Sequence, residues 1–543
     1  YEFLVYSLLR KYLEAGDVFI DESIHFRSFE DDLVGEIQWK DKDKLIQDLG
    51  LVFLQKPIEE TLVELKNELE TLLVAVNKRI KEGKNQDIKI IGTGKNITWR
   101  LPYKKSEDSA NHPLYDHLPQ IEIRDLLGFV DSKCGFMNSF THILGRYAKT
   151  KADNDTIFGC IVALGTNKGL AKMAESSDLS FQVLLSSTNN FLRLETLKYA
   201  NDTISNSMAQ LPIFKYFNIE DGIIHSSSDG QKFETRINTI NARYSPKYFG
   251  LKKGVTSYTM VANHVPVNAK IIGANEHESH FVFDIVHNNT SDIQSDRHSV
   301  DTHGTNNVNF LILHAFTYEF APRYRNINSK SETICAFKSA KHYEDFLVKP
   351  SRKINERLIV KEWPNIQRIL VSLGFKTTTQ SIIIGKLSSH ERKNRTKKAM
   401  WALDNILRSI YILKYVDDIL LRQNVHSALN RGEAYHQLRR AVPHANLGKF
   451  RVKTEHEQQI WSECSRLIAN SIIFYNAYIL SKLLTHLMEG EQSDLVELIK
   501  KVSPVAWRHV NLGGRFKFNT QRMPPNIDDI IAALENVVTN FLN

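Results

Sequence analysis

The chain has 543 residues and a formal net charge of +8 at pH 7, with 70 Lys and Arg against 62 Asp and Glu. The length predicts three or four domains of roughly 150 residues each. The modest basic surplus favours polyanionic partners such as nucleic acid, and a solvated basic surface would look the same. Four cysteines without a CxxC pair argue against a zinc ribbon or a disulfide framework, and they predict a reducing compartment, by default the cytoplasm.

Helices are predicted for most of the first 215 residues. The segment PIEETLVELKNELETLLVAVNKRIK (57–81) opens with a proline, has two glutamates in its first turn and repeats leucines at helical spacing. We expect a helical N-terminal segment over 1–90 and a helical linker or scaffold domain over 91–215. Because the first residue is Tyr1 and no charged-then-apolar signal segment follows, we expect a fragment of a longer protein without an export signal.

Short β-prone runs with a helix between them follow, from about residue 216 to 328. Three runs predict strands: VTSYTMVAN (255–263), NAKIIGA (268–274) and RHSVDTHG (297–304). Between the last two, NEHESHFVFDIVHNN predicts a helix with a capping box of Asn275 and Glu278. Strands joined through a helix indicate an α/β core. Helices dominate again after about residue 330, and the longest apolar run there, LIANSIIFYNAYIL, contains two asparagines and is too short to span a membrane.

Three acids stand out in this part of the chain. HSSSDGQKFE (225–234) places Asp229 in a predicted strand, and Asp301 follows a β-prone run, with Thr305 predicted to cap the next helix. An acid at the carboxyl end of a strand faces the crevice where open α/β sheets bind ligands. Glu433 in LNRGEAYHQLRRAV is predicted at a helix start. Taken singly, each acid is explained as well by a turn, a helix start or a first helical turn.

Basic and histidine-rich runs lie around these acids. One run alternates basic side chains with aromatic rings that can stack on splayed nucleotides. It consists of Arg243, Tyr244, Lys247, Tyr248, Lys252 and Lys253. A tyrosine-rich core turn explains the same pattern. A second basic run, KLSSHERKNRTKK (386–398), has two interpretations: a solvated helix start or loop, and a phosphate contact. The histidines at 277, 280, 287, 298 and 303 lack zinc-site spacing, so we expect them on helix surfaces, with His303 close enough to Asp301 to touch substrate.

Seven segments, in order and spacing as well as in wording, resemble the Tn-three family transposases of replicative, cointegrate-forming bacterial transposons. They are LPQIEIRDLLGFVD (118–131), GTNKGLAKMAESS (165–177), SSDGQKF (227–233), NARYSPKYFGLKKGVTSYT (241–259), DTHGTNNVNF (301–310), LNRGE (429–433) and RHVNLGGRFKF (508–518). The resemblance implies that Asp229, Asp301 and Glu433 are the DDE triad of a ribonuclease-H-like domain. Family members are typically longer at the N-terminus, where domains that bind the terminal inverted repeats lie.

The implied activity is metal-dependent cleavage at the 3′ ends of the transposon, followed by strand transfer into target DNA. Two Mg²⁺ ions about 4 Å apart, or Mn²⁺ in their place, stabilise the attacking and leaving oxygens, and the three acids are the expected metal ligands. The implied partners are double-stranded DNA, both inverted repeats and target, and a second copy of the chain, in the bacterial cytoplasm at the nucleoid. GTGKN (92–96) lacks a complete phosphate-loop pattern, so no nucleotide cofactor is expected. No membrane partner is expected either, because the apolar runs are too short to span a membrane.

The spacing of the acids predicts an interrupted core. Asp301 and Glu433 are 132 residues apart, whereas one strand and a crossover need only about 30 to 40, so roughly 90 residues form an insertion. The expected fold class is multidomain, α+β and α-rich: a ribonuclease-H-like α/β core interrupted by a helical insertion and flanked by helical domains. The expected boundaries are 1–90, 91–215, 216–328 for the first part of the core, 329–422 for the helical insertion, 423–487 for the second part of the core and 488–543 for a C-terminal segment.

Two other classes of function compete with a DNA transferase. A non-catalytic DNA-binding or assembly fragment of a decayed transposase would have the same basic surplus, although the intact triad argues against decay. A glycoside hydrolase could use an Asp and Glu pair, but no aromatic sugar platform accompanies these acids. DNA transferase activity that requires Mg²⁺ separates the first hypothesis from the other two.

Overall fold

The computed structural model describes residues 1–23, 26–92, 97–102, 112–147, 149–389, 394–519 and 526–540. The chain divides into two compact units. Unit 1 comprises Tyr1–Ser106, His277–His287 and Asp296–His426, and unit 2 comprises Glu107–Glu276, Asn288–Ser295 and Ser427–Asn543. Both units mix helices with strands, as the fold class predicted. The ribonuclease-H-like assignment and the six expected boundaries stay predictions.

Helices make up most of the regular structure. In chain order they are α1 (Glu2–Ala15), α2 (Glu36–Trp39), α3 (Lys42–Asp48), α4 (Val52–Gln55), α5 (Ile58–Lys81), α6 (Ile123–Cys134), α7 (Asn154–Gly165), α8 (Leu170–Glu175), α9 (Phe181–Phe191), α10 (Leu194–Ala209), α11 (Pro246–Phe249), α12 (Val282–His287), α13 (Asn309–Ala315), α14 (Ile327–Ser331), α15 (Glu356–Gly374), α16 (Gln380–Ser389), α17 (Arg395–Asp417), α18 (Ile419–Ala441), α19 (Glu455–Glu489), α20 (Ser493–Ile499) and α21 (Ile527–Asn540).

Strands are shorter and are concentrated in the middle of the chain. In chain order they are β1 (Lys89–Ile91), β2 (Thr98–Arg100), β3 (Ile121–Glu122), β4 (His225–Glu234), β5 (Arg243–Tyr244), β6 (Lys253–Ala262), β7 (Val265–Gly273), β8 (Arg297–Ser299), β9 (Glu319–Phe320), β10 (Cys335–Ala336), β11 (Arg352–Lys353) and β12 (Val510–Asn511).

Unit 1 is built around helices α5, α15 and α17, which pack against one another. The leucine spacing predicted α5 correctly, since Leu62, Leu65, Leu69 and Leu73 are buried along one face of this helix. The short strands β8 and β9 pair in parallel, with Arg297 opposite Glu319. Helix α13 packs on α17. Unit 1 therefore positions the segment after β8, in which Asp301 lies, on a largely helical base.

Unit 2 contains an antiparallel sheet in which β6 lies between β4 and β7. Strand β5 pairs with the first residues of β6. The predicted strands at 255–263 and 268–274 correspond to β6 and β7, and the strand around Asp229 corresponds to β4. This sheet gives unit 2 the rigid element on which Asp229 is placed.

The core of unit 2 is the 35-residue helix α19, which packs on α6, α7, α10, α20, α21 and β7. Thr454 and Glu457 form a capping box at its start. Among the described residues this helix alone is long and apolar enough to cross a membrane, yet 89% of its most apolar window is buried inside the protein. Such burial is typical of the core helix of a soluble protein.

Helix α19 also carries a buried ion pair. The carboxylate of Glu463 lies 2.5 Å from the guanidinium of Arg466, and both side chains are at most 3% exposed. Arg466 further donates to the carbonyl oxygens of Pro266 and Val267, at the start of β7. The pair therefore links the core helix to the edge of the sheet.

Two local predictions about helices were wrong. The segment 275–289 is not one helix: it contains a single 3-10 turn at Glu278–His280 and then the short α12, and Asn275 does not cap either. Thr305 does not cap α13, because Asn306 accepts from the backbone N–H groups of Val308 and Asn309 instead. Both errors arise where several polar residues compete for the same unpaired N–H groups.

Candidate active site

Asp229 lies in the middle of β4, opposite Thr259 of β6. The three serines before it are buried and make specific bonds: Ser227 Oγ donates to the carbonyl of Ala428 at 2.7 Å, and Ser228 Oγ lies 2.6 Å from Tyr258 Oη. The carboxylate of Asp229 is about half exposed, and its Oδ1 accepts from the N–H of Gly230 at 2.8 Å. The serine run therefore anchors the strand and leaves the acid at the surface.

Helix α18 approaches β4 closely at Gly432. A Cβ at this position would lie 3.0 Å from Ser227 Oγ, so even an alanine would require the serine side chain to shift by a few tenths of an ångström. Arg431 holds the same turn by donating to the carbonyl of Phe217. The predicted helix start at LNRGE was wrong, because α18 begins at Ile419 and Gly432 is an interior residue that permits close packing. Glu433 is therefore an exposed acid in the body of the helix.

His436 lies beside Asp229 and three residues after Glu433 in α18, and the sequence did not predict its role. Its Nδ1 lies 3.5 Å from Asp229 Oδ2, and its carbonyl accepts from the Nε2 of Gln231 at 2.9 Å. Burial, with smaller contributions from the charges of nearby arginines, lowers the pKa of His436 to about 4, against an opposing effect of Glu433. The imidazole is therefore neutral at pH 7. The three-residue spacing from Glu433, which puts both on one helix face, was the available signal.

Replacing His436 by glutamine is expected to flatten the pH dependence of stability. The unfolded chain takes up this proton near pH 6.5, whereas the folded state resists it down to about pH 4. Stability therefore falls as the pH drops through this window, by up to about 3 kcal/mol from this group. Urea unfolding of wild type and His436→Gln, followed by tryptophan fluorescence across the window, measures the difference. The exposed His486→Gln serves as control, and parallel wild-type and His436→Gln curves would contradict the assignment.

Asp301 belongs to unit 1, in the turn after β8. Its Oδ1 accepts from the N–H groups of His303 and Gly304, at 2.8 and 3.1 Å, at the start of the 3-10 turn Thr302–Gly304. Gly304 is required there, since a Cβ would lie 2.5 Å from the Cβ of Val300. The structure thus supports the helix-start interpretation of this acid while leaving its second oxygen outside those two bonds. That Asp301 joins Asp229 and Glu433 in one site stays a prediction.

The expectation of helix-surface histidines was wrong for most of the group. His298 is fully buried in β8, and this burial lowers its pKa to about 3. His287 stacks on the ring of Phe283 at 4.7 Å, and burial lowers the pKa of His280 to about 4. His303 alone of these is an exposed residue beside a candidate acid. Thus His298 is buried and His280 and His287 are partly buried, whereas His277 and His303 are exposed.

The basic run of unit 2 is exposed, so its interpretation as a tyrosine-rich core turn was wrong. Tyr244 and Tyr248 are 57% and 53% exposed. The ammonium of Lys253 lies over the Tyr244 ring at 5.0 Å, and that of Lys247 lies over the Tyr248 ring at 5.2 Å. Lys252 forms an ion pair with Glu234, and Arg243 is exposed. The run presents cations and aromatic faces together to solvent.

The second basic run begins with a buried residue. Lys386 is 4% exposed, forms an ion pair with Asp32 and donates to the carbonyl of Arg27. This lysine is therefore a structural residue of unit 1 rather than a phosphate contact. Residues 390–393 of this run lie outside the described residues, as do residues 93–96 of GTGKN.

Comparison with known proteins places these residues in a family. The Tn3 transposase DDE domain matches residues 125–516. The chain is 29% identical over 531 residues to the transposase for transposon Tn1546 of Enterococcus faecium, covering 96% of this chain and 52% of that protein. It is 30% identical over 528 residues to the transposase for transposon Tn3926 of Escherichia coli, covering 95% and 52%. The chain thus spans about half the length of the curated relatives it matches.

Proposed function

The chain belongs to the Tn3 (Tn-three) family of transposases, and from this premise we propose that it is the catalytic part of an enzyme that transposes DNA. The proposed reaction is hydrolysis at the 3′ ends of the transposon inverted repeats, followed by attack of the freed 3′-hydroxyl on target DNA in the replicative, cointegrate pathway. The proposed acids are Asp229, Asp301 and Glu433.

The observation that carries this proposal is the exposed Asp229 of β4 beside the neutral His436 of α18, three residues after Glu433 on the same helix. Asp229 from β4 lies 3.5 Å from His436, and the charge of Glu433 acts on the same ring. A strand and a helix more than 200 residues apart in the chain are brought together there by the serine and glycine contacts. Carboxylates on rigid elements are what a metal-dependent phosphoryl-transfer site requires.

The chemistry of the proposed acids fits Mg²⁺ or Mn²⁺. Their carboxylate oxygens are hard ligands, and those of Asp229 and Glu433 are open to solvent and so accessible to metal, water and phosphate. Bound divalent ions would polarise the phosphodiester and activate the attacking oxygen. Among the described residues, no three His, Cys, Asp or Glu side chains are grouped closely enough to hold an ion. We therefore expect oxygens from DNA and water to complete the ligand set.

The protein side chains have separate tasks in this proposal. Asp229 is held in orientation by the N–H of Gly230, and the ring of His436 lies 3.5 Å from its other oxygen. Because the pKa of His436 is about 4, its ring adds no positive charge that would repel a cation near the two acids. Glu433 faces solvent from the middle of a helix whose position is fixed by Gly432 and Arg431. The protein thus supplies placement and negative charge, and no covalent enzyme intermediate is needed.

Duplex DNA is the proposed substrate, as inverted-repeat ends and as target, and a homodimer is the proposed assembly. Arg243, Tyr244, Lys247, Tyr248, Lys252 and Lys253 are the proposed DNA contacts. Their exposure and their paired cations and rings support this role. The proposed location is the bacterial cytoplasm, at the nucleoid.

A direct test incubates the full-length protein with uncut and pre-cut transposon ends and a target plasmid, in Mg²⁺ and in EDTA. The proposal expects nicked ends and joined products in Mg²⁺ and neither in EDTA. DNA binding without either product in Mg²⁺ would instead identify the chain as a non-catalytic binding or assembly fragment.

Replacing Arg243, Lys247, Lys252 and Lys253 together by glutamine is expected to flatten the salt dependence of DNA binding. Each lost phosphate contact removes about 0.9 from the slope of log affinity against log salt, so four contacts remove about 3 to 4. Titration of labelled end DNA at several salt concentrations gives this slope. The matched control replaces four exposed lysines of unit 1, Lys40, Lys44, Lys81 and Lys349. An unchanged slope in the first variant would show that its residues are structural.

A further inference from the structure

A pocket of about 560 Å³ lies in unit 2 where three chain segments meet. Its volume is within the roughly 300–1,000 Å³ of small-ligand sites. The segments are the end of β4 with the residues after it, the β5–β6 region and the turn after α18. Charged and apolar side chains both line it.

The walls of this pocket are fixed by backbone hydrogen bonds. Thr235 donates to the carbonyl of Lys253 at 3.0 Å, Arg236 donates to that of Phe450 at 2.7 Å, and Phe450 donates to that of Glu234 at 2.8 Å. Phe450 also packs in a buried cluster with Phe233. Pocket residues therefore adjoin core residues in the chain, at Phe233–Glu234 and Lys449–Phe450, so that the pocket is formed before a ligand arrives.

Cations surround a single carboxylate inside the pocket. Glu234 lies 3.0 Å from the ammonium of Lys252 and 3.1 Å from that of Lys449. Lys253 and the exposed Arg236 bring the lining to four positive groups against one negative group. An incoming phosphate can replace Glu234 as the partner of both lysines.

Exposed apolar side chains mark the rim of the same pocket. Leu251 is 95% exposed, Leu447 is 88% exposed and the ring of Tyr244 is 57% exposed. Leu447 has a φ of 57°, in the left-handed region that a leucine rarely adopts. The turn is held by Asn167, which donates to the carbonyl of Lys449 at 2.7 Å. Strain that the surroundings maintain in this way is typical of ligand-binding clamps.

We infer that this pocket holds one unstacked nucleotide of the bound DNA. The base stacks on the ring of Tyr244. Leu251 and Leu447 enter the gap that the base leaves in the stack. The phosphate replaces Glu234 as the partner of Lys252 and Lys449. Leucine wedges between base steps and aromatic platforms for extruded bases are the known means of stabilising such a distortion. The inference rests on the proposed function in one respect, namely that DNA is the substrate.

The test compares two short labelled duplexes, one fully paired and one with a single unpaired nucleotide at its centre, bound to the full-length protein in EDTA. Because an unpaired base costs least to unstack, we expect wild type to bind the second duplex about 10-fold more tightly. The double variant Leu251→Ala/Leu447→Ala should reduce this preference to less than about 2-fold, because it removes the wedges that stabilise the unstacked nucleotide. Leu420→Ala, an exposed leucine outside the pocket, is the control.

A variant that should bind the bulged duplex more tightly separates nucleotide binding by this pocket from a purely structural role. Glu234→Gln keeps the backbone bond to Phe450 but frees both lysines, so binding of the bulged duplex should become several-fold tighter. Weaker binding by this variant would overturn the inference, as would a wild-type protein without preference or a preference that the leucine variant retains. In each of those cases binding of paired DNA, and with it the proposed function, would still stand. Failure to bind either duplex would overturn both.

Discussion

Glu433→Gln is expected to abolish end cleavage and strand transfer together, each by at least about 10³-fold, since residues that act as one catalytic unit fail as one unit. Binding of end DNA and the melting temperature should change little. The substitution keeps the size of a solvent-exposed side chain in the middle of α18 and removes only its charge. A helix-dipole role is excluded by this position, because that effect is confined to the first turn.

The assay uses the full-length protein with pre-cut and uncut ends in Mg²⁺, so that joining is measured separately from cleavage. Glu455→Gln, an exposed acid in the first turn of α19, is the matched control and should remain fully active. Asp229→Asn and Asp301→Asn should behave like Glu433→Gln. Near wild-type joining of pre-cut ends by Glu433→Gln would show that the third acid is assigned wrongly, and an active Asp301→Asn would leave that residue only its helix-start role.

Arg466→Met is expected to destabilise unit 2 by about 3–5 kcal/mol, because it leaves a buried carboxylate without its partner. Glu463 is at most 3% exposed and also accepts from Asn201 at 3.1 Å, so it cannot turn to solvent. The same change removes the two bonds to the carbonyls of Pro266 and Val267. Urea unfolding with tryptophan fluorescence, which reports on the buried Trp461, gives the loss.

A double variant distinguishes an uncompensated charge from lost packing. Glu463→Met combined with Arg466→Met removes both charges, so it should be more stable than Arg466→Met alone. Glu497 and Lys500 form a more accessible pair with the same i,i+3 spacing, in which Glu497 is 62% exposed, and Lys500→Met should cost no more than about 1 kcal/mol. A double variant as unstable as the single one would show that packing around Arg466, rather than charge, is what matters.

Elements with strong local patterns could be predicted from the sequence. The leucine spacing predicted α5, alternation predicted β4, and β-prone runs predicted β6 and β7, of which β6 is buried along almost its whole length. The acid Asp229 was placed on its strand correctly for this reason. Local spacing suffices when burial follows the period of the element itself.

Features set by distant contacts could not be predicted in this way. The residues around Gly432 have the composition of a helix start, yet Gly432 lies inside α18. There it packs against Ser227, about 200 residues earlier in the chain. His436 looks like any surface histidine until β4 brings Asp229 to its ring. Pairwise contacts of this range leave no periodic signal in one sequence.

The central position of α19 has a consequence for biosynthesis. Helix α7 is almost wholly buried, and α19, against which it packs, lies about 300 residues later in the chain. At about 5–20 residues per second on the ribosome, roughly 15–60 s pass between the emergence of the two helices. During that time the apolar surface of α7 has no native partner from α19. The nascent chain is therefore expected to depend on chaperones, and slower translation should lower its soluble yield rather than raise it.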